Sequence, residues 1–161
     1  MTNRTRFLLS ISFLTLFCVA SSGALNPVRL TNFKIGFSKV SPKLFPSSQS
    51  PEVGWTPIFD LGIVALRGDI SIFSAKRSTS SKFMITNYEL LGMLSVLPLI
   101  TLEAGGGMQN WHGQGGISPV ATAGIMFRIG EFIDRLYFDF SRVFAKNNET
   151  NEIHIGIGLN L

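Results

Sequence analysis

The stretch Asn151-Glu152-Ile153-His154-Ile155-Gly156-Ile157-Gly158-Leu159-Asn160-Leu161 alternates without a break. Ile153, Ile155, Ile157, Leu159 and Leu161 fall on one face, and Glu152, His154, Gly156, Gly158 and Asn160 on the other. A period of two identifies a β-strand whose faces meet unlike surroundings. The pattern recurs towards the N-terminus. Leu136, Phe138 and Phe140 oppose Tyr137, Asp139 and Ser141; Ala121, Ala123, Ile125, Phe127 and Ile129 oppose Thr122, Gly124, Met126 and Arg128. Ile100, Leu102, Ala104 and Met108 oppose Thr101, Glu103, Gly105, Gly107 and Gln109. Met84, Thr86, Tyr88 and Leu90 oppose Asn87 and Glu89, with Ile85 and Leu91 blurring the pattern. Ile70 and Ile72 oppose Asp69 and Ser71; Phe59, Leu61, Ile63 and Ala65 oppose Asp60 and Gly62; Phe33, Ile35 and Phe37 oppose Lys34, Gly36 and Ser38. Eight strands are expected, most of the length that a tilted strand needs to cross a bilayer.

The predicted links fall into two classes. Val40–Gly54, Lys76–Lys82, Asn110–Ser118 and Ala145–Thr150 are long or polar, whereas those at Arg67-Gly68, Ser95–Pro98 and Gly130–Asp134 are short. An up-and-down barrel puts alternate links on opposite sides, and a transmembrane one has short turns on one side and longer loops on the other. No stretch after the N-terminal segment holds 18 uninterrupted apolar residues, so membrane-spanning helices are not expected.

Residues 1–24 read as a cleavable secretory signal. Arg4 and Arg6 precede an apolar core from Phe7 to Ala20, and Ser22 and Ala24 suit the cleavage site. Removing these 24 of the 161 residues leaves 137 for a single barrel domain, 25–161, without Cys18, the lone cysteine. Disulfide and thiol chemistry are then ruled out. Charged residues make up 15% of the chain and mean hydropathy is +0.31, which excludes a disordered chain. The net charge of +4 is too small and too scattered for a nucleic-acid binder.

The polar faces carry Gly36, Gly62, Gly105, Gly107, Gly124, Gly156 and Gly158. Solvent-facing strand positions disfavour glycine, whereas a narrow barrel interior needs small residues to admit large ones. The apolar faces are therefore expected to meet lipid. The expected lumen network comprises Lys34, Asp60, Glu89, Glu103, Arg128, Asp139, Glu152 and His154, since enclosed charges must be paired or wetted. With Met126, Tyr137, Lys34 and Arg128 inward, the lumen is expected to be plugged, without a stable wide channel.

With Ile133-Asp134-Arg135-Leu136-Tyr137-Phe138-Asp139-Phe140-Ser141-Arg142-Val143-Phe144 and the closing 151–161 strand, the chain resembles small eight-stranded bacterial outer-membrane proteins of the OmpA-like or OmpX-like group. The resemblance implies an all-β, antiparallel up-and-down transmembrane β-barrel in the outer membrane, exported through the periplasm. It also implies a final strand presented to the barrel-assembly machinery. That signal usually ends in Phe, so Leu161 departs from it. Fold alone does not fix a function.

Candidate chemistry is sparse. A hydrolase of this group would need His beside Ser and a carboxylate. His112 lies in the predicted external loop Gln109–Gly116 near Ser118, but Gly113-Gln114-Gly115 does not reproduce the lipid A deacylase pattern. Two distant histidines and no cysteine make no metal cluster, so neither a metal nor another cofactor is expected. No Gly-Lys-Ser/Thr follows Gly105-Gly106-Gly107, which read as strand glycines. Lys76, Arg77, Lys82, Trp111 and His112 are the candidate external contacts, with the cations suited to lipopolysaccharide phosphates. Trp55, Trp111, Phe144 and Tyr88 are candidates for interfacial girdles.

The sequence thus points to a structural or surface-interacting barrel in contact with outer-membrane lipids, with no need of an oligomer. A small lipid-modifying enzyme and a soluble lipocalin-like carrier are the alternatives.

Overall fold

A computed structural model describes residues 28–30, 32–43, 46–76, 81–113, 116–130, 132–145 and 149–160. The expected signal segment lies outside the described residues. The strands are β1 (Val28–Arg29), β2 (Asn32–Pro42), β3 (Ser48–Trp55), β4 (Ile58–Asp60), β5 (Val64–Lys76), β6 (Lys82–Leu97), β7 (Ile100–Trp111), β8 (Ile117–Arg128), β9 (Ile133–Val143) and β10 (Thr150–Asn160). All pairings are antiparallel, and β10 closes on β2 from Thr150↔Pro42 to Asn160↔Asn32. With β5 paired to β6, the sheet closes. β3 and β4 share one register on β5 (Val53↔Ile72, Ile58↔Arg67) and form a single stave interrupted at Thr56-Pro57. β1 similarly continues β2 with a one-residue shift, where Thr56 N–H donates to Asn32 O. The closed barrel therefore has eight staves.

Alternation predicts the faces well where each face is chemically uniform. In β2 the odd-numbered positions from Phe33 to Lys39 are exposed, and Asn32, Lys34, Gly36, Ser38 and Val40 are buried. Large apolar side chains girdle the outside: Ile35 on β2, Val53 on β3, Ile72 on β5, Leu90 on β6, Leu102 on β7, Phe140 on β9 and Ile155 on β10. Soluble barrels rarely expose so continuous an apolar surface.

Three expectations in the first half of the chain are corrected. Val40–Gly54 is not all loop, because β3 occupies Ser48–Trp55. Its inward face carries Ser48, Ser50 and Glu52, and its outward face opens with Gln49 and Pro51 before Val53, so neither face gives an apolar rhythm where the strand starts. Phe59–Ala65 is not a spanning strand. It is the end of β4, a turn and the start of β5, with Gly62 at φ +97° and its N–H donating to Asp60 Oδ1 (2.9 Å). Arg67-Gly68 is the middle of β5 rather than a turn. The parity of the links survives. The β4–β5, β6–β7 and β8–β9 strand ends meet at one end, and the β2–β3, β5–β6, β7–β8 and β9–β10 strand ends at the other, here the loop end.

At the loop end the two faces exchange character. Val40, Phe73, Ala75, Phe83, Ile85, Trp111, Val120 and Val143 form a buried apolar cluster inside the barrel. Outside at the same end stand Lys39, Gln49, Lys76, Lys82, Arg142 and Asn151, all exposed. Polar-out and apolar-in suits a wall in water, whereas the girdle nearer the turns suits a wall in lipid. The staves thus extend beyond the apolar girdle at the loop end.

Candidate functional site

Below the apolar plug, the lumen is filled by charge. Lys34 Nζ lies 2.6 Å from Glu52 Oε1 and 2.7 Å from Asp69 Oδ2, and 5.3 Å from the Tyr137 ring centroid. Arg67, 1% exposed, is surrounded by acids: Glu103 at 3.2 Å from Nε, and Asp139 and Asp69 at 3.1 and 3.5 Å from Nη2. Its Nη1 reaches Met126 Sδ at 3.6 Å. Nearer the plug, His154 Nδ1 is 2.8 Å from Glu52 Oε2, and Gln109 Nε2 donates to Glu152 Oε2 at 2.8 Å. The Trp111 indole N–H donates to Gln109 Oε1, tying plug to network. Towards the turns, Arg135 pairs with Asp134, which Arg29 also approaches.

The glycines let this interior close. A Cβ on Gly36 or Gly156 would collide with the Tyr137 hydroxyl, and one on Gly124 with Asp139 Oδ1. Small inward positions therefore hold the space that Tyr137 and Asp139 fill, as a narrow barrel requires.

Of the residues expected in the lumen, Lys34, Glu103, Asp139, Glu152 and His154 are buried there, and Glu89 is half-buried, accepting from Thr122 Oγ1 at 2.5 Å. Asp60 lies instead at the turn end, capping Gly62. Arg128 is exposed at the end of β8. The central cation is Arg67, with Asp69 and Glu52 beside it. Parity could have found Arg67, because Asp69 two residues on already faced inward. A Gly next to a charged residue instead read as a turn.

At the loop end, Lys76, Lys82 and His112 are exposed. His112 Nε2 lies 2.9 Å from Thr86 Oγ1, and its backbone N–H donates to Met84 O. Trp111 is corrected: it is 6% exposed, packed on Phe83 inside the plug, and neither an external contact nor a girdle residue. Its place at the end of β7, where the inner wall turns apolar, explains the burial. Arg77 lies outside the described residues.

One cluster has the composition of a hydrolase triad, but not its geometry. Ser38 Oγ, Glu52 Oε2 and His154 Nδ1 lie within 2.6–3.0 Å of one another. A triad needs the hydroxyl on one ring nitrogen and the acid on the other. Here Ser38 Oγ and Glu52 Oε2 both crowd Nδ1 and Glu152 Oε2 stands 3.4 Å from Nε2, but the Ser38 hydroxyl donates to Glu52 rather than to the ring, and Phe73 packs edge-on against the imidazole. All three residues are buried, so nothing presents the hydroxyl to a substrate. Among the described residues no group of acids, His or Cys is arranged to hold a metal ion.

No family model and no curated protein sequence matches the chain. Solved structures do. The attachment invasion locus protein Ail of Yersinia pestis superposes with a TM-score of 0.58 at 12% identity, over 80% of this chain and 95% of that one. Neisserial surface protein A does so at 0.55 and 11% identity, over 83% and 96%. The fold is that of a small eight-stranded outer-membrane β-barrel. Ail has also been solved in complex with the heparin analogue sucrose octasulfate; that structure matches at 14% identity and TM-score 0.57, over 80% and 95%. At such identities the likeness to these barrels is one of fold alone.

Proposed function

We propose that this chain is an integral outer-membrane barrel with a structural and surface-contacting role, its lumen closed and its loop end facing outwards. Residues 1–24 serve as the cleaved export signal and 25–161 as the barrel domain. The observation that carries this reading is the exchange of faces: apolar-out over the girdle, then polar-out above it at the loop end. A wall of that kind fits a protein seated in lipid with a rim standing in water.

Contact chemistry resides on the rim. Lys39, Lys76 and Lys82 are exposed there, while Glu52, Asp69, Glu103, Asp139 and Glu152 are buried in the lumen. A basic rim suits anionic surface molecules, foremost lipopolysaccharide phosphates, and Ail's complex with a polysulfated ligand is in keeping with that chemistry. β10 supplies the strand read by the assembly machinery. The barrel needs no oligomer, because its closed edges leave nothing to pair. An enzymatic role finds no support in the crowded Ser38–Glu52–His154 cluster. A carrier of apolar ligands would need an apolar cavity, which the charged lumen does not offer.

The test joins cell fractionation to gel mobility and planar-bilayer recording. Recovery in the outer-membrane fraction, a mobility shift on boiling and no stable conductance are expected. Soluble periplasmic protein with unshifted mobility would overturn the reading.

A further inference from the structure

Pro51 stands opposite Ser74 if the β3–β5 register is continued upward from Val53↔Ile72, and it has no N–H to donate across that seam. The ladder stops there. Ser74 N–H donates to Ser50 Oγ (3.0 Å) and Lys76 N–H to Ser48 Oγ (3.2 Å), so side chains replace the backbone acceptors. Where the strands part, an open surface notch of about 370 Å³ is lined by Lys39, Ser47, Ser48, Gln49 and Lys76.

The lining offers two ammonium groups, an amide and hydroxyls, and no carboxylate. Neither Lys39 nor Lys76 forms an ion pair among the described residues. The acid described on the rim, Glu149, precedes β10 beside the end of β2 and is engaged by Arg142 at 2.8 Å. Immediately towards the turns, the outer wall becomes apolar, with Phe37 68%, Val53 53% and Ile72 40% exposed. A cationic notch over an apolar wall matches an amphiphile with an anionic head and alkyl tails, and lysines at such a boundary put stems on apolar surface and charges in water.

We propose that the parted β3–β5 seam seats the phosphorylated headgroup of an outer-leaflet lipid, whose acyl chains lie along Phe37, Val53 and Ile72. This deepens, and rests on, the outer-membrane reading. Lys39 and Lys76 grip the phosphate, and Gln49 and the serines complete its hydrogen bonding.

The test uses the full mature chain in lipid nanodiscs, titrated with lipid A carrying both phosphates and with the same lipid dephosphorylated. We expect the phosphorylated form to bind about ten-fold tighter or more, and K39Q/K76Q to lose that preference. R142Q, which removes a rim charge away from the seam, should keep it. Equal binding of the two lipids, or an equal loss in R142Q, would overturn the site. Full competition by millimolar inorganic phosphate would overturn the lipid assignment and leave a free-phosphate site. A heat-shifted K39Q/K76Q barrel shows that any loss is not misfolding. A wild-type chain that never enters nanodiscs strikes the outer-membrane reading instead.

Discussion

Arg67→Met should be among the most damaging single substitutions in the lumen. The methionine keeps part of the stem's volume and removes the charge shared by Glu103, Asp139 and Asp69 at 3.2, 3.1 and 3.5 Å. Removing one partner from a buried ion pair costs about 3–5 kcal/mol, because the other charge is left uncompensated. Lys34 is no substitute, since it is already engaged by Glu52 and Asp69. The assay is urea unfolding in detergent micelles, followed by the fluorescence of Trp111 in the plug. With an m-value of about 2 kcal/mol per molar, a loss of 4 kcal/mol lowers the midpoint by about 2 M. Adding Glu103→Gln and Asp139→Asn should restore more than half of that shift. Arg128→Ala is the contrast: the side chain is exposed, and its removal should cost no more than about 0.5 kcal/mol. A shift below about 0.5 M for Arg67→Met, or equal shifts for both arginines, would refute the central role of Arg67.

Other outcomes follow from the same geometry. Gly156→Ala puts a methyl against the Tyr137 hydroxyl and Ile35 O and should cost about 1–3 kcal/mol in the same assay. Part of that should return in a Tyr137→Phe background, because the hydroxyl has no hydrogen-bond partner to lose among the described residues. Trp111→Ala opens the plug, with a loss of about 3–5 kcal/mol and brief conductance events in planar bilayers that the wild type lacks. His112→Ala should leave lipid A intact in a hydrolysis assay just as the wild type does, with stability changed by no more than about 1 kcal/mol from the lost Thr86 contact.

How much of this could be read in advance depended on whether each face of a strand keeps one chemistry. β8, β9 and β10 were legible because lipid and lumen impose opposite demands along most of their length. β6 was blurred by Ile85 and Leu91, both fully buried and both inward. Ile85 is apolar because it belongs to the plug, where the rule for the inner wall reverses. β3 was hidden for a different reason. Ser48, Ser50 and Pro51 carry loop-like composition, yet the serines are inward residues that also bridge the gap Pro51 leaves. A strand that gives up part of its ladder loses the signature by which strands are recognised. Glu89, Glu103, Asp139 and Glu152 followed from parity and Asp60 did not, whereas the pairing of Arg67 with Glu103, Asp139 and Asp69 depends on which staves face one another.

That arrangement bears on what the barrel can do. β5 and β9 lie four staves apart in either direction round the closed sheet, so the Arg67–Asp139 contact spans the diameter. Lys34–Asp69, Arg67–Glu103 and Gln109–Glu152 also join staves that share no ladder. Hydrogen-bond ladders fix each strand only against its neighbours, and a two-residue slip keeps every face correct. Contacts across the lumen do not survive such a slip. The network therefore selects one register round the barrel, a role for buried ionic groups that does not require them to add net stability. The same braces occupy the path a solute would take.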